Sequence, residues 1–138
     1  EYLPGIGSDL FKGCIQAGST VGSPHSAMIL FPLGGAIGQH ANGHSAVGNR
    51  NANYLFNVTA AWEKPEDDAA NVEWARSSWQ ELKRFSSGGT YINFLNEEEA
   101  GERIQAAYGG NLERLARVKA AWDPKNMFRV NKNVQPVT

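Results

Sequence analysis

Tyr91 and Asn93 are the side chains with the widest chemical reach, since a phenol can give or take a proton and an amide can donate and accept at once. They stand two apart in Thr90–Leu95 (TYINFL). As a strand, that segment puts Tyr91, Asn93 and Leu95 on one face and Thr90, Ile92 and Phe94 on the other. Such a pair either points into a pocket or lies on a half-exposed strand face, and the segment alone leaves both open. His40 and His44 would suit two metal ligands only on a helix. Asn42 and Gly43 oppose a helix there, no third ligand is near, and no metal is expected. His25 after Pro24 reads as a loop residue. Asn57-Val58-Thr59 has the glycosylation pattern but falls inside a strand, where an acceptor has no access. Gly5-Ile6-Gly7 and Gly34–Gly38 lack both the Lys-Ser/Thr ending of a phosphate loop and the dinucleotide spacing. The single cysteine, Cys14, excludes an internal disulfide and a Cys-rich zinc site.

These residues need a frame, and 138 residues suffice for one domain. Thirteen basic against fourteen acidic side chains give a net charge of −1, with no basic cluster for nucleic acid. A hydrophobic content of 41%, with four Trp, four Tyr and six Phe, is enough for a core. The longest apolar run, Ala27–Leu33, is broken by Pro32 and is far short of the ~20 residues of a membrane helix.

Along the chain, a helix from the cap candidate Ser8 to Gly18 would turn Leu10, Phe11, Cys14 and Ile15 inward. Ser26–Leu33 is apolar on both faces and reads as a strand buried on both sides. Tyr54–Trp62 alternates, with Tyr54, Phe56, Val58, Ala60 and Trp62 toward the core and Leu55, Asn57, Thr59 and Ala61 toward a cavity or water. Asp67 or Asp68 caps a helix carrying Val72, Ala75, Trp79 and Leu82. Asn96 with Glu99 forms a capping box for a helix that stops at Gly109-Gly110. Asn111 caps another, with Leu112, Leu115, Val118 and Trp122 buried and Asp123-Pro124 at its end. The tail Met127–Val137 reads as extended, with Asn131 and Asn133 on one face. The order predicts an α+β fold, a mostly antiparallel sheet covered on one side by helices. The glycine-dense first half and the start at Glu1 suggest a piece of a larger protein.

The segment Gly88–Pro136 resembles the C-terminal end of berberine-bridge-enzyme-like FAD-linked oxidases. The matching elements are Tyr91/Asn93/Phe94, Ala106–Gly109, Arg114-Leu115, Lys119, Asp123/Pro124/Asn126/Phe128/Arg129 and Asn131/Asn133. Upstream, SPHSAMILFPLGGA and GNRNANYLFNVTAAW are similar to the same family. The resemblance implies a fragment of a vanillyl-alcohol-oxidase-type flavoprotein. Residues 1–126 would be the C-terminal part of the substrate domain, and 127–138 a tail returning to an FAD-binding domain that these residues do not include.

The resemblance also implies roles. Tyr91 matches a substrate-facing tyrosine that is the general base in some members, and Asn93 an amide beside the flavin; Asn131 and Asn133 are further cofactor-binding candidates. Asn57, a second catalytic-site candidate, stands where relatives carry Glu or Gln as a catalytic or site-polarising residue; an amide cannot take a proton at neutral pH, so the burden of base shifts to Tyr91. A tyrosine base calls for a neighbouring charge or donor, and the sequence names none. Leu33 replaces a Tyr or Asp of some sugar-oxidising relatives, which argues for a less polar substrate end. The implied activity is oxidation of a hydroxyl or amine of a small molecule with FAD as cofactor, the chain alone being inactive. A stand-alone binding or assembly module of the same fold is the alternative. Either way, association is expected with the missing FAD-binding domain or a second copy, through Tyr91, Asn93, Leu95, Leu55, Asn57, Thr59 and the tail. No nucleic-acid or membrane partner is expected.

Overall fold

A computed structural model describes residues 1–96, 101–130 and 132–137. The chain divides into two compact units, Glu1–Leu33 with Ala52–Ser87 and Gly34–Asn51 with Gly88–Thr138.

The first unit is built on an antiparallel sheet of β1 (Tyr2–Leu3), β3 (Tyr54–Thr59) and β2 (Ala27–Pro32), with β3 in the centre. The core-facing half of the β3 alternation is as its sequence predicts, whereas Leu55, expected toward a cavity or water, is 5% exposed. Phe56 is buried, and Tyr54 and Val58 pack beside it with Met28 and Leu30 of β2, opposite Val58 and Phe56 in register. Helices α1 (Ser8–Gly18) and α2 (Asp68–Leu82) supply Leu10 and Leu82 to the same core, and β1 supplies Leu3. Each such side chain contributes roughly 1.5–3 kcal/mol through burial.

The expected faces shift in three places. β2 is an edge strand with Ile29 39% exposed, so it is covered on one side and not on two. Helix α1 buries Leu10, Gly13 and Ala17 and leaves Phe11 and Ile15 exposed, because Gly13 lets Leu82 approach closely; a Cβ there would meet Leu82 Cδ2 at 2.9 Å. Helix α2 buries Asn71, Trp74, Ser78 and Leu82, with Val72, Ala75 and Trp79 only half-buried. Trp74 Nε1 donates to the carbonyl of Ala17 at 2.9 Å, satisfying the indole and pinning the two helices together.

The second unit contains α3 (Glu102–Tyr108), α4 (Leu112–Trp122) and short 3₁₀ turns at Gly35–Ile37, Asn42–His44, Ile92–Phe94 and Gly109–Asn111. Gly109, at φ +53°, ends α3, and Asn111 is the N-cap of α4. The capping box of Asn96 and Glu99 lies partly outside the described residues. Thr90–Leu95 is not a strand. Its backbone folds on itself, Phe94 N donating to Tyr91 O at 2.9 Å, instead of entering a ladder. Helix α4 buries Ala116, half-buries Leu112 and Leu115, and leaves Val118 and Trp122 exposed. The tail forms no strand among its described residues, and no described helix is long and apolar enough to cross a membrane.

Candidate functional site

Tyr91 and Asn93 are presented on a turn held at both ends. Thr90 before it is 3% exposed and Leu95 after it 7%, so buried residues anchor the chain on either side of a half-buried to exposed turn. Tyr91 is half-buried and Asn93 exposed. Asn93 Nδ2 donates to the Tyr91 hydroxyl oxygen at 2.9 Å. The Phe94 ring meets the Tyr91 ring edge to face, with centroids 5.1 Å apart and planes at 90°. The donor absent from the sequence reading is therefore two residues away. Gly88 and Gly89, both at positive φ, turn the chain into this segment.

Residues 34–51 of the same unit are closed by polar contacts that pattern reading missed. Arg50 donates from its guanidinium to Ile37 O at 3.2 Å and Ser45 Oγ at 2.7 Å, and its backbone N–H to Asn42 Oδ1 at 2.7 Å. Asn111 Nδ2 donates to Asn42 O at 2.8 Å, tying the loop to the start of α4. Asn49, at φ +57°, donates from Nδ2 to Ala106 O at 3.3 Å, and its side chain fills the space that a Cβ on Gly89 would need. The only signal in the sequence was the Asn/Gly density of GNRNAN, which marks a turn without naming its partners.

The other candidates separate. Asn57 belongs to the first unit, on the sheet face opposite the helix-packed core, with Nδ2 donating to Thr59 Oγ1 at 2.8 Å. Leu33 is half-buried at the end of β2, its N–H donating to Asn53 O at 2.9 Å. Leu55 and Leu95, expected to be exposed, are 5% and 7% exposed, so apolar burial removes both from any free face. Asn133 is half-buried in the tail, and Asn131 lies outside the described residues. His40 and His44 stack with ring centroids 4.1 Å apart, and no cluster of three or more His, Cys, Asp or Glu occurs among the described residues. His25 Nε2 lies 3.2 Å from Glu63 Oε1 at the surface. Partial burial pushes the Cys14 thiol upward from its ordinary value.

The end of α4 carries a second ordered feature. Asp123 accepts Lys119 Nζ at 2.6 Å and the backbone N–H groups of Met127 and Phe128 at 2.8 and 3.0 Å. The lysine hydrogen bond first, aided by the two N–H groups, holds the Asp123 carboxyl below its ordinary range. On this frame Trp122, Met127, Phe128 and Val130 are 86%, 74%, 80% and 81% exposed.

Residues 90–135 match the family model described as "Berberine and berberine like". The chain is 29% identical over 124 residues to the aclacinomycin-N/aclacinomycin-A oxidase of Streptomyces galilaeus, covering 78% of this chain and 23% of that protein. It is 32% identical over 105 residues to the FAD-linked oxidoreductase YgaK of Bacillus subtilis, covering 76% and 23%. A glycopeptide hexose oxidase solved in complex with teicoplanin shares the fold over 98% of this chain and 31% of its own, with a TM-score of 0.85 and 23% identity. The chain thus spans about a quarter of the length of the curated relatives it matches.

Proposed function

From the premise that this chain carries the berberine-like C-terminal region of FAD-linked oxidoreductases, we propose that it forms the substrate-side wall of such an enzyme and supplies its proton-handling group. The observation carrying this reading is the Tyr91–Asn93 pair, a phenol and an amide hydrogen-bonded at 2.9 Å on an anchored turn inside the matched stretch. FAD, when bound by the remainder of the protein, supplies the hydride acceptor for the oxidation.

The chain's own part is orientation and proton transfer. Tyr91 is the proposed base: as phenolate it takes the proton of the substrate hydroxyl or amine at its oxygen and becomes the phenol. Asn93 Nδ2 sits against that oxygen. Exposed Asn93 and half-buried Asn133 offer polar contacts of the kind a flavin edge takes, and Asn131 is a third candidate from the sequence. Asn57 carries an amide and polarises rather than takes a proton. Relatives named for aclacinomycin and for a glycopeptide hexose make a hydroxyl on a sugar-bearing molecule the first substrate class to test.

Residues 127–138 are proposed as the tail that docks on the FAD-binding part, because Met127, Phe128 and Val130 expose apolar side chains from a hydrogen-bonded frame. The test is to combine the chain with an FAD-binding part, in one polypeptide or in trans, and supply candidate alcohols. Flavin bleaching by a sugar hydroxyl, lost in Tyr91→Phe, is the expected result. Retained bleaching in Tyr91→Phe would remove Tyr91 from the role. No flavin association at all would favour a stand-alone assembly module.

A further inference from the structure

We propose that Asn93 is a positioning residue for Tyr91, holding its oxygen in place to take the proton of an incoming substrate; this rests on the reading of Tyr91 above. The pair lies on the 3₁₀ turn Ile92–Phe94 and its approach, where Asn93 Nδ2 reaches the Tyr91 oxygen at 2.9 Å.

Two contacts restrict the half-buried Tyr91 side chain. The Phe94 ring packs edge to face at 5.1 Å, and the Asn93 amide occupies an acceptor position of the oxygen. An amide N–H only donates, so Tyr91 Oη is the acceptor here. Hydrogen bonds to charged acceptors are roughly twice as strong as neutral ones, so this bond favours the phenolate that takes the substrate proton. Asn93 therefore aims the Tyr91 oxygen and favours its proton-accepting form.

The test has two arms. In the chain itself, the side-chain amide resonances of Asn93 are followed by ¹⁵N NMR; Tyr91→Phe removes the acceptor and is expected to shift them, whereas unchanged resonances overturn the contact. In the flavin-loaded protein carrying this chain, Asn93→Ala and the isosteric Asn93→Asp are each expected to lower kcat by about tenfold, with KM within about twofold, through loss of the donor that holds Tyr91 in its proton-accepting form. Asn93→Gln, which keeps the donor, is expected to recover part of that loss. Wild-type kcat in Asn93→Asp would mean the amide is used as an acceptor, and a raised KM with unchanged kcat would mean that Asn93 binds substrate directly; either overturns the proposal. If Tyr91→Phe abolishes turnover while both Asn93 variants keep it, this inference fails alone. If Tyr91→Phe keeps full turnover, the reading of Tyr91 fails and takes the inference with it.

Discussion

In the unit Glu1–Leu33 with Ala52–Ser87, Leu3 and Leu82 have no exposed surface, and Leu10 and Phe56 keep only 2% and 3%. In the unit Gly34–Asn51 with Gly88–Thr138, Trp122, Met127, Phe128 and Val130 are each at least 74% exposed, while the buried positions include Thr90, Leu95, Ala107 and Ala116. The first unit is held by apolar packing of strands against helices. The second is closed by side chains on backbone: Arg50 on Ile37, Asn49 on Ala106, Asn111 on Asn42, and Asp123 accepting from Met127 and Phe128. A core consumes its large apolar side chains, while a polar frame leaves them available for something else. The chemistry proposed above sits on the second kind of scaffold.

The largest break in this contrast is Leu82→Ala. Leu82 is fully buried between α1 and the sheet, and removing it should cost about 2–5 kcal/mol through lost transfer energy and a residual cavity. Thermal unfolding followed by circular dichroism checks the size. Gly13→Ala should also destabilise, since its Cβ would meet Leu82 Cδ2 at 2.9 Å. In the Leu82→Ala background that second cost should largely vanish. Additive losses in the double mutant would show that Gly13 is required for its backbone and not for space.

Gly89→Ala is the corresponding break in the second unit. Gly89 has φ +78°, and a Cβ would lie 2.7–2.9 Å from the Asn49 side-chain atoms. Strain and overlap together should cost about 1–3 kcal/mol. The expected signature is local, with faster hydrogen exchange in residues 34–51 and Gly88–Leu95. Equal loss of protection in β3 would mean that the two scaffolds are not distinct in stability.

How much of this was legible follows the same division. The alternation of Tyr54, Phe56 and Val58 and the extents of α1 and α2 follow from apolar spacing, because packing is what made them. Small and polar residues hid the true helix faces. Gly13, Asn71 and Ser78 are buried although glycine and polar side chains carry no apolar signal, and Ala17 is small enough to be overlooked beside Phe11 and Ile15. Thr90–Leu95 alternates like a strand over six residues, yet a strand needs a partner ladder, and its hydrogen bonds close three residues back. Tyr91 and Asn93 were found by type and spacing, whereas type and spacing do not say that the two side chains bond each other. Asn49 and Arg50 act over long sequence separation, which a local pattern cannot carry.

A smaller effect tests the frame of the tail through pH. With its folded value lowered, chiefly by Lys119, Asp123 contributes stability that is present above its unfolded pKa of roughly 3.9 and is lost as pH falls through the lowered folded value. The tail should therefore open in acid, below about pH 4, while remaining closed at neutral pH. Asp123→Asn should weaken the tail at neutral pH and flatten that dependence. Fluorescence of Trp122, one residue away, offers the readout. An acid transition of the same size in Asp123→Asn would assign it to other carboxylates.

The smallest expected change in stability is the most informative about the second scaffold. Phe128 and Trp122 are 80% and 86% exposed, so Phe128→Ser or Trp122→Ser should change the stability of the chain by no more than about 0.5 kcal/mol. The backbone that presents Phe128 is fixed independently, since its N–H donates to Asp123 Oδ2 at 3.0 Å and Lys119 Nζ reaches its carbonyl at 2.5 Å. The aromatic ring can therefore be removed without melting the frame. If the exposed side chains are the docking surface for an FAD-binding part, the same substitution should weaken that association by about 2 kcal/mol, roughly thirtyfold, as for an aromatic anchor at an interface. Titration of the FAD-binding part against wild-type and substituted chains measures it. A Phe128→Ser chain that unfolds as readily as Leu82→Ala would place the ring in a core of this chain. One that is stable and docks normally would move the interface elsewhere, leaving the exposed tail without that role.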